Sequence, residues 1–336
     1  MKYYFKDLNK MNKRYFEVRR DCPTCKSTDT REIYSCSFLK PPIREFLKSF
    51  YLPQGKIEFE YLKEADFVLE ECNGCGTIFQ KEIPNSSLMN KLYEEWIDPR
   101  KVFGLDSRKD NLSKFSYYAQ EIMMIIAFFN KMPSQLKLFD FGMGWGKWCY
   151  MAKAFGCNSY GAELSKTRVE YAQSQGIRVI TWDEIPDYSF DFINTEQVFE
   201  HIPEPLETLR YLKKSLKQDG LIKISVPNGE DIKRRLKIGN WMSPKGSKNS
   251  LNPVSPLEHI NCFKQDSITK MADIAGLELA KMPMTSQLVY AKDWKGMKQV
   301  IKSLAKFIYG NIHGNLSQKG TYLLFRQKKN STLLPI

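Results

Sequence analysis

The sequence predicts an α/β protein built on a mostly parallel sheet, with a small cysteine-bearing module ahead of it. Three observations carry this. Between residues 136 and 228, apolar strand-like segments alternate with amphipathic helical ones, the spacing of βαβ units and hence of parallel strands. The first of these segments, Leu136-Lys137-Leu138-Phe139-Asp140-Phe141, runs straight into Gly142-Met143-Gly144-Trp145-Gly146 and then a helical stretch. Such a loop lets the backbone turn sharply and offers a helix N-terminus to a ligand. Finally, Cys22-Pro23-Thr24-Cys25 and Cys72-Asn73-Gly74-Cys75 form two Cys-x-x-Cys pairs.

With 336 residues, 42% of them hydrophobic and 13% aromatic, the chain can bury a sizeable core and exceeds one average domain. The expected divisions are a zinc-ribbon-like module at 1–85, a helical connector at 86–133 and an α/β domain at 134–330, with an insertion at about 230–257. The most apolar stretch, 122–129, is far shorter than the roughly 20 residues that span a bilayer, so it reads as a buried helix and no membrane span is expected. Met1-Lys2-Tyr3-Tyr4-Phe5-Lys6-Asp7 carries no leader pattern, and a cytoplasmic location is expected. A net charge of +13 raises the question of an anionic partner, although lysine runs equally serve as solubilising surface.

Helices are expected at 88–96 and 116–131, the latter stopped by Pro133. Strands follow at 137–141, 159–163, 178–181, 190–195 and 220–226, with helices between them at 146–154, 166–175 and 205–216. Beyond the insertion come a helix at 265–275, a strand at 277–283, a helix at about 294–309 and a last strand at 321–326. Residues 22–80 show little sustained helical pattern.

A cytoplasmic compartment keeps thiols reduced, so metal binding is the better reading of the paired cysteines. A Cys-x-x-Cys spacing lets two thiolates take adjacent corners of a zinc tetrahedron. The 46 residues between the pairs exceed the usual gap of about 15 to 20, which requires an insertion near 39–61. Cys22, Cys25, Cys72 and Cys75 are thus expected to hold a structural zinc, a closed site with no open position for catalysis. Cys36 is a spare thiol, and Cys149, Cys157 and Cys262 read as small buried residues.

The glycine loop by itself marks only a nucleotide-like ligand. A dinucleotide fingerprint would need glycine where Lys147 stands, and no Gly-Lys-Ser/Thr follows for a P-loop. Asp140 places a carboxylate where a ligand's amino group would lie, which suits a zwitterion better than a pyrophosphate. Glu163, 23 residues on, can accept hydrogen bonds from two ribose hydroxyls. Trp182 and Asp183, after the third strand, can meet an adenine ring and its amino group.

With Phe190-Asp191-Phe192-Ile193, Val198-Phe199-Glu200-His201-Ile202-Pro203, Leu212-Lys213, Asp219-Gly220 and Val226-Pro227-Asn228 added, the sequence resembles the class I S-adenosylmethionine-dependent methyltransferase family, in the subgroup with a Glu-His motif. The resemblance covers roughly residues 136–283. It implies a Rossmann-like seven-stranded sheet with helices on both faces and an antiparallel last strand. It also implies a cofactor held by Gly142, Gly144 and Glu163 at its methionine and ribose parts and by Asp183 at its adenine, with Asp140, Gly146 and Trp182 completing the expected set. Met143 departs from the small residue usual there, harmlessly if backbone faces the ligand.

Methyl transfer is an in-line displacement at a sulfonium, so positioning and exclusion of water are the enzyme's main tasks. His201 and His259, in Glu258-His259-Ile260-Asn261, are expected at the strand ends where open α/β sheets bind ligands, where an imidazole suits a general base or serves the structure, His201 by capping the following helix or packing beneath the cofactor. Glu200 reads as structural, and His313 has no motif around it. Exocyclic-amine methylation of nucleic acid would call for Asn/Asp-Pro-Pro-Tyr/Phe where Asn194-Thr195-Glu196-Gln197 stands, and cytosine ring methylation for a cysteine near there. A zinc module ahead of such a core resembles bacterial sugar methyltransferases of surface-polysaccharide pathways. The implied reaction is methylation of an oxygen or carbon of a small, anionic or phosphate-bearing acceptor such as a sugar nucleotide or glycan precursor. An RNA methyltransferase and a non-catalytic cofactor-binding scaffold are the alternatives. Lys233, Arg234, Arg235, Lys237, Trp241, Lys245 and Lys248 in the insertion fit either a phosphate-bearing sugar or RNA.

Overall fold

A computed structural model of the chain describes residues 13–98, 101, 112–282 and 320–328. In the N-terminal part, β1 (Phe16–Val18) pairs with β5 (Glu82–Pro84). Between them come β2 (Thr30–Ser37), α1 (Ile43–Tyr51), β3 (Asp66–Cys72) and β4 (Ile78–Gln80). α1 lies in the insertion expected between the cysteine pairs. It turns Ile43, Leu47 and Tyr51 inward and is amphipathic over too few turns to stand out in the sequence. The helix expected at 88–96 is α2 (Ser86–Lys91), where the Asn85 side chain accepts the Leu88 N–H, followed by a π-helical turn, Leu92–Trp96.

α3 (Leu112–Phe129) starts and ends earlier than expected. It stops at Asn130, which is left-handed with φ 48°, rather than at Pro133. Then come β6 (Lys137–Phe141), α4 (Lys147–Ala154), β7 (Asn158–Ala162), α5 (Lys166–Ser174), β8 (Arg178–Val179), β9 (Phe190–Glu196), α6 (Pro205–Lys214) and β10 (Leu216–Pro227). After the insertion helix α7 (Ile232–Ile238) lie β11 (Asn261–Cys262), α8 (Gln265–Ile274), β12 (Leu277–Leu279) and β13 (Gly320–Gln327). The helix expected at 294–309 falls outside the described residues.

Among the described residues the large sheet has seven strands in the order β12-β13-β10-β9-β6-β7-β8. It is mixed: β13 runs antiparallel to both β10 and β12, and the strands from β10 to β8 pair in parallel. Alternation along β6 explains the layering. Phe139 and Phe141 pack with the apolar faces of α6 and α8, and Leu138 with Ile122 and Ile125 of α3 and Trp148 of α4. β9, covered on both faces, is buried at six successive positions, with Asp191, Asn194 and Thr195 as polar residues among them. Order reverses between β6 and β9, the switch point at which an open sheet leaves a crevice beyond its strand ends.

A second, four-stranded antiparallel sheet, β11-β4-β3-β2, takes its fourth strand from beyond the insertion. Trp241 of the insertion is buried and meets Tyr34, Phe46 and Phe67 at ring-centre distances of 5.5, 5.8 and 5.5 Å. Leu251, Val254 and Leu257 join the same core. The insertion is therefore packed onto the N-terminal part. Several of its basic residues are turned to internal partners: Lys233 to Glu71 at 3.0 Å, Arg234 to Asn249 at 3.2 Å and Arg235 to the Ser250 carbonyl at 3.2 Å. These three thus have partners within the fold, while the Lys233 and Arg234 side chains stay partly exposed. No helix among the described residues is long and apolar enough to cross a membrane.

Candidate active site

β6 delivers Asp140 and the glycine loop to the crevice. Gly142 sits at φ 76° with Val198 so close that a Cβ would lie 2.6 Å from its Cγ2, whereas a Cβ on Gly144 (φ 56°) would meet only open space. Gly142 is thus required by packing, and Gly144 keeps backbone bare on the ligand side. Gly146 is the left-handed N-cap of α4. Met143, also on the cavity wall, turns its sulfur under the loop into the space a Cβ of Gly161 would need.

The loop borders a cavity of about 340 Å³ that is also lined by Asp140, Lys114 and Tyr118 of α3, Arg168 of α5, and Asn194, Glu196 and Gln197 at the end of β9. Burial lifts the Asp140 carboxyl to about 7, against the opposing pull of its hydrogen bond from Asn194. The Asn194 amide donates to Asp140 at 2.7 Å, while the Asn194 carbonyl oxygen is buried with no partner. One cavity wall therefore presents two buried acceptors, a setting for a cationic amino group.

Glu163, just past β7, accepts from the backbone N–H groups of Gly144 at 3.0 Å, Leu164 at 2.8 Å and Ser165 at 3.0 Å. It ties the glycine loop to the start of α5, with Arg168 3.8 Å away. Trp182 stacks on Tyr211 with ring centres 4.4 Å apart, and Asp183 is exposed. Asp140, Gly142 and Gly144 line the cavity, Glu163 is bonded to the loop from behind it, and Trp182 packs on Phe141 just ahead of the loop, with ring centres 5.8 Å apart.

His201 and His259 come together although 58 positions separate them in the chain: their ring centres are 4.8 Å apart, edge to face. His201 ends a 3-10 turn, Phe199–His201, and its Nδ1 lies 3.3 Å from the Tyr93 hydroxyl. The His259 Nδ1 is hydrogen-bonded to the Asn252 carbonyl. Beside them, Glu200 and Glu258 are buried. Burial pushes His201 down to about 4, His259 well below its usual value, Glu200 up to about 8 and Glu258 up to about 7. These groups do not line the cavity, but Val198, packed over Gly142, connects the two places.

Sequence reasoning passed over a buried cation. The Lys223 ammonium, wholly buried in the middle of β10, is 2.8 Å from Glu121 and 2.9 Å from Glu196. Glu121 also accepts from the Trp148 indole at 2.6 Å. Burial would lower the lysine, but Glu121 and Glu196 hold it well above its ordinary value. The available signal was a lysine inside the apolar run Leu221–Val226. Asn194 and Glu196 were also legible as polar residues closing an apolar strand, and Gln197 adopts a left-handed φ of 56°, a strained conformation for its type.

The sulfurs of Cys22, Cys25, Cys72 and Cys75 all lie within 4.8 Å of one another, with Cys22–Cys75 and Cys25–Cys72 at 3.5 Å. Zinc–sulfur bonds of about 2.3 Å in a tetrahedron put sulfurs about 3.8 Å apart, so the cluster fits the ion. Cys149, Cys157 and Cys262 are buried as expected.

A mixed seven-stranded sheet with a glycine loop and acidic strand ends around its switch point defines a class I S-adenosylmethionine-dependent methyltransferase. The chain belongs to the methyltransferase-domain family, whose profile matches residues 113–281, half of its length. It is similar to the ubiquinone biosynthesis O-methyltransferase of Bartonella quintana (strain Toulouse), 25% identical over 220 residues that span 59% of this chain and 86% of that protein. Among solved structures it is similar to the plantazolicin methyltransferase BpumL in complex with SAH, at 15% identity over 72% of this chain and 94% of the other, with a TM-score of 0.45. A SAM-dependent methyltransferase from Archaeoglobus fulgidus matches at 15% identity over 62% and 94%, with a TM-score of 0.37.

Proposed function

We propose that the protein methylates an oxygen or carbon of a small anionic acceptor, in the first instance a sugar nucleotide or glycan precursor. When bound, S-adenosylmethionine supplies an electrophilic methyl group on a sulfonium. The observation that carries the assignment of residues is the pair of buried acceptors, Asp140 and the Asn194 carbonyl, on the wall that the bare backbone of Gly144 also faces. In this reading Asp140 and Asn194 receive the cofactor's amino group. Gly142 and Gly146 hold the loop, Glu163 takes the ribose hydroxyls, and Trp182 with Asp183 edges the adenine. His201 and His259 act on the acceptor. The cations Lys114, Lys147 and Arg168 on the cavity wall support an anionic acceptor, and the similarity to an O-methyltransferase favours oxygen as the atom methylated.

Cys22, Cys25, Cys72 and Cys75 would hold a structural zinc within a zinc-ribbon-like module at 1–85, joined through a connector at 86–133 to a catalytic domain at 134–330. The test of the cofactor assignment is calorimetric: Glu163→Ala should weaken S-adenosylmethionine binding by about tenfold or more, roughly the loss of one good charged hydrogen-bonding group. Unchanged affinity would refute it. Release of S-adenosylhomocysteine on incubation with sugar nucleotides, phenolic acceptors or RNA then identifies the acceptor class, and turnover with RNA alone would overturn the small-molecule reading.

A further inference from the structure

We propose that Glu200, His201 and His259 hold a divalent transition-metal ion beside the methyl-transfer cavity, and that this ion takes the oxygen of the acceptor. The second half rests on the methyltransferase reading above; the first stands on geometry alone. One ligand atom from each of the three residues lies within 4.8 Å of the other two, close enough for a single ion to bridge them. Glu200 is 1% exposed, and both of its carboxylate oxygens are buried without a hydrogen-bond partner. Buried polar groups are ordinarily satisfied, so an orphaned carboxylate facing two imidazoles points to a missing cation.

The surroundings already orient the ligands. The Asn252 carbonyl fixes the proton of His259 on Nδ1, which leaves Nε2 with its lone pair, the arrangement by which metal-binding histidines are set. The Tyr93 hydroxyl lies 3.3 Å from the His201 Nδ1 and holds that edge of the ring. Asn261 donates to the carbonyls of Phe199 at 3.0 Å and Ile202 at 2.7 Å, pinning the turn that carries Glu200 and His201.

Two imidazoles and one carboxylate leave coordination positions open, unlike the closed cysteine site, and favour iron, cobalt, nickel or zinc over magnesium or calcium, with manganese bound more weakly than these four. The side chain of His201 keeps 27% of its surface exposed, so the cluster can be reached. Val198, two residues before Glu200, packs against Gly142 of the cavity's glycine loop, which sets the cluster beside the cavity. An acceptor hydroxyl bound there would lose its proton to water. Its freed electron pair would form the O–CH3 bond as the methyl–sulfur bond breaks, with sulfur leaving as a neutral thioether. The two histidines would then act on the acceptor through the ion.

The experiment is metal counting on the purified full chain. After dialysis against zinc, wild type should retain one equivalent more than Glu200→Gln or His259→Ala, measured by mass spectrometry. Manganese, which thiolates disfavour, should bind wild type at one equivalent by electron paramagnetic resonance and the variants at least about tenfold more weakly. S-adenosylmethionine affinity should stay within about twofold in both variants. Wild type that binds no manganese and no zinc beyond the cysteine site would overturn the proposal whether or not the variants fold, as would variants that hold as much metal as wild type. Failure of wild type to bind S-adenosylmethionine would instead sink the cofactor assignment and leave the metal count standing.

Discussion

Two glycines of one loop do different work. At Gly142 a Cβ would strike Val198 in a left-handed backbone, while at Gly144 the space is open and the strain is conformational only. Gly142→Ala should therefore destabilise the fold by about 2–4 kcal/mol, combining strain with overpacking. Gly144→Ala should cost about 1–2 kcal/mol in urea denaturation yet weaken cofactor binding the more of the two relative to its effect on stability. Equal ratios would contradict the assignment of Gly144 to the ligand face. Asp140 gives a pH signature. Its folded carboxyl titrates near 7, raised by burial from 3.8, so its contribution to stability is complete below about 3.8 and is lost as pH rises through about 7. The ionised form is the one that receives an ammonium group. Affinity for S-adenosylmethionine should accordingly rise about tenfold between pH 6 and pH 8, and Asp140→Asn should flatten that profile in calorimetric titrations.

Among the elements, β10 is held by more than apolar packing. Lys223 joins it through Glu121 to α3 and through Glu196 to the end of β9. Lys223→Met would strand two carboxylates, one of them fully buried, and should cost about 3–5 kcal/mol; the double variant Lys223→Met with Glu121→Gln should recover part of this loss. A single-variant loss below about 1 kcal/mol would mean that the network contributes little. This junction also shows where sequence reading stops. The strands β6, β7, β9 and β10 were legible because their apolar runs and the intervening helices have distinct periods. Asp140 and Glu163 were legible because they close strands ahead of turns. Lys223 was not, because a lysine in a strand is ordinarily at the surface, and only tertiary partners 102 and 27 positions away explain it. α1 was missed for its shortness, and the pairing of His201 with His259 needed the fold to bring the insertion's far end back to β9.

At the scale of the whole molecule the N-terminal part and the site are mechanically one unit. Arg19, three residues before Cys22, donates to the carbonyls of Ile260 at 3.1 Å and Pro203 at 2.8 Å and to the Asn261 side chain at 2.8 Å. It thereby clamps the turn bearing His201 and the segment bearing His259 to the base of the cysteine cluster. Burial lowers its guanidinium to about 10, still charged at neutral pH, and its loss would leave three acceptors unmet. Arg19→Ala should destabilise by about 2–4 kcal/mol. Because the clamp touches the histidine turn and not the glycine loop, methyl transfer should fall while S-adenosylmethionine affinity stays within about twofold. Cys22→Ser, which disturbs the same base from the other side, should produce the same split between turnover and cofactor binding. A proportionate fall in both quantities for either variant would show that the N-terminal part supports the whole domain generally, and not the histidine turn in particular.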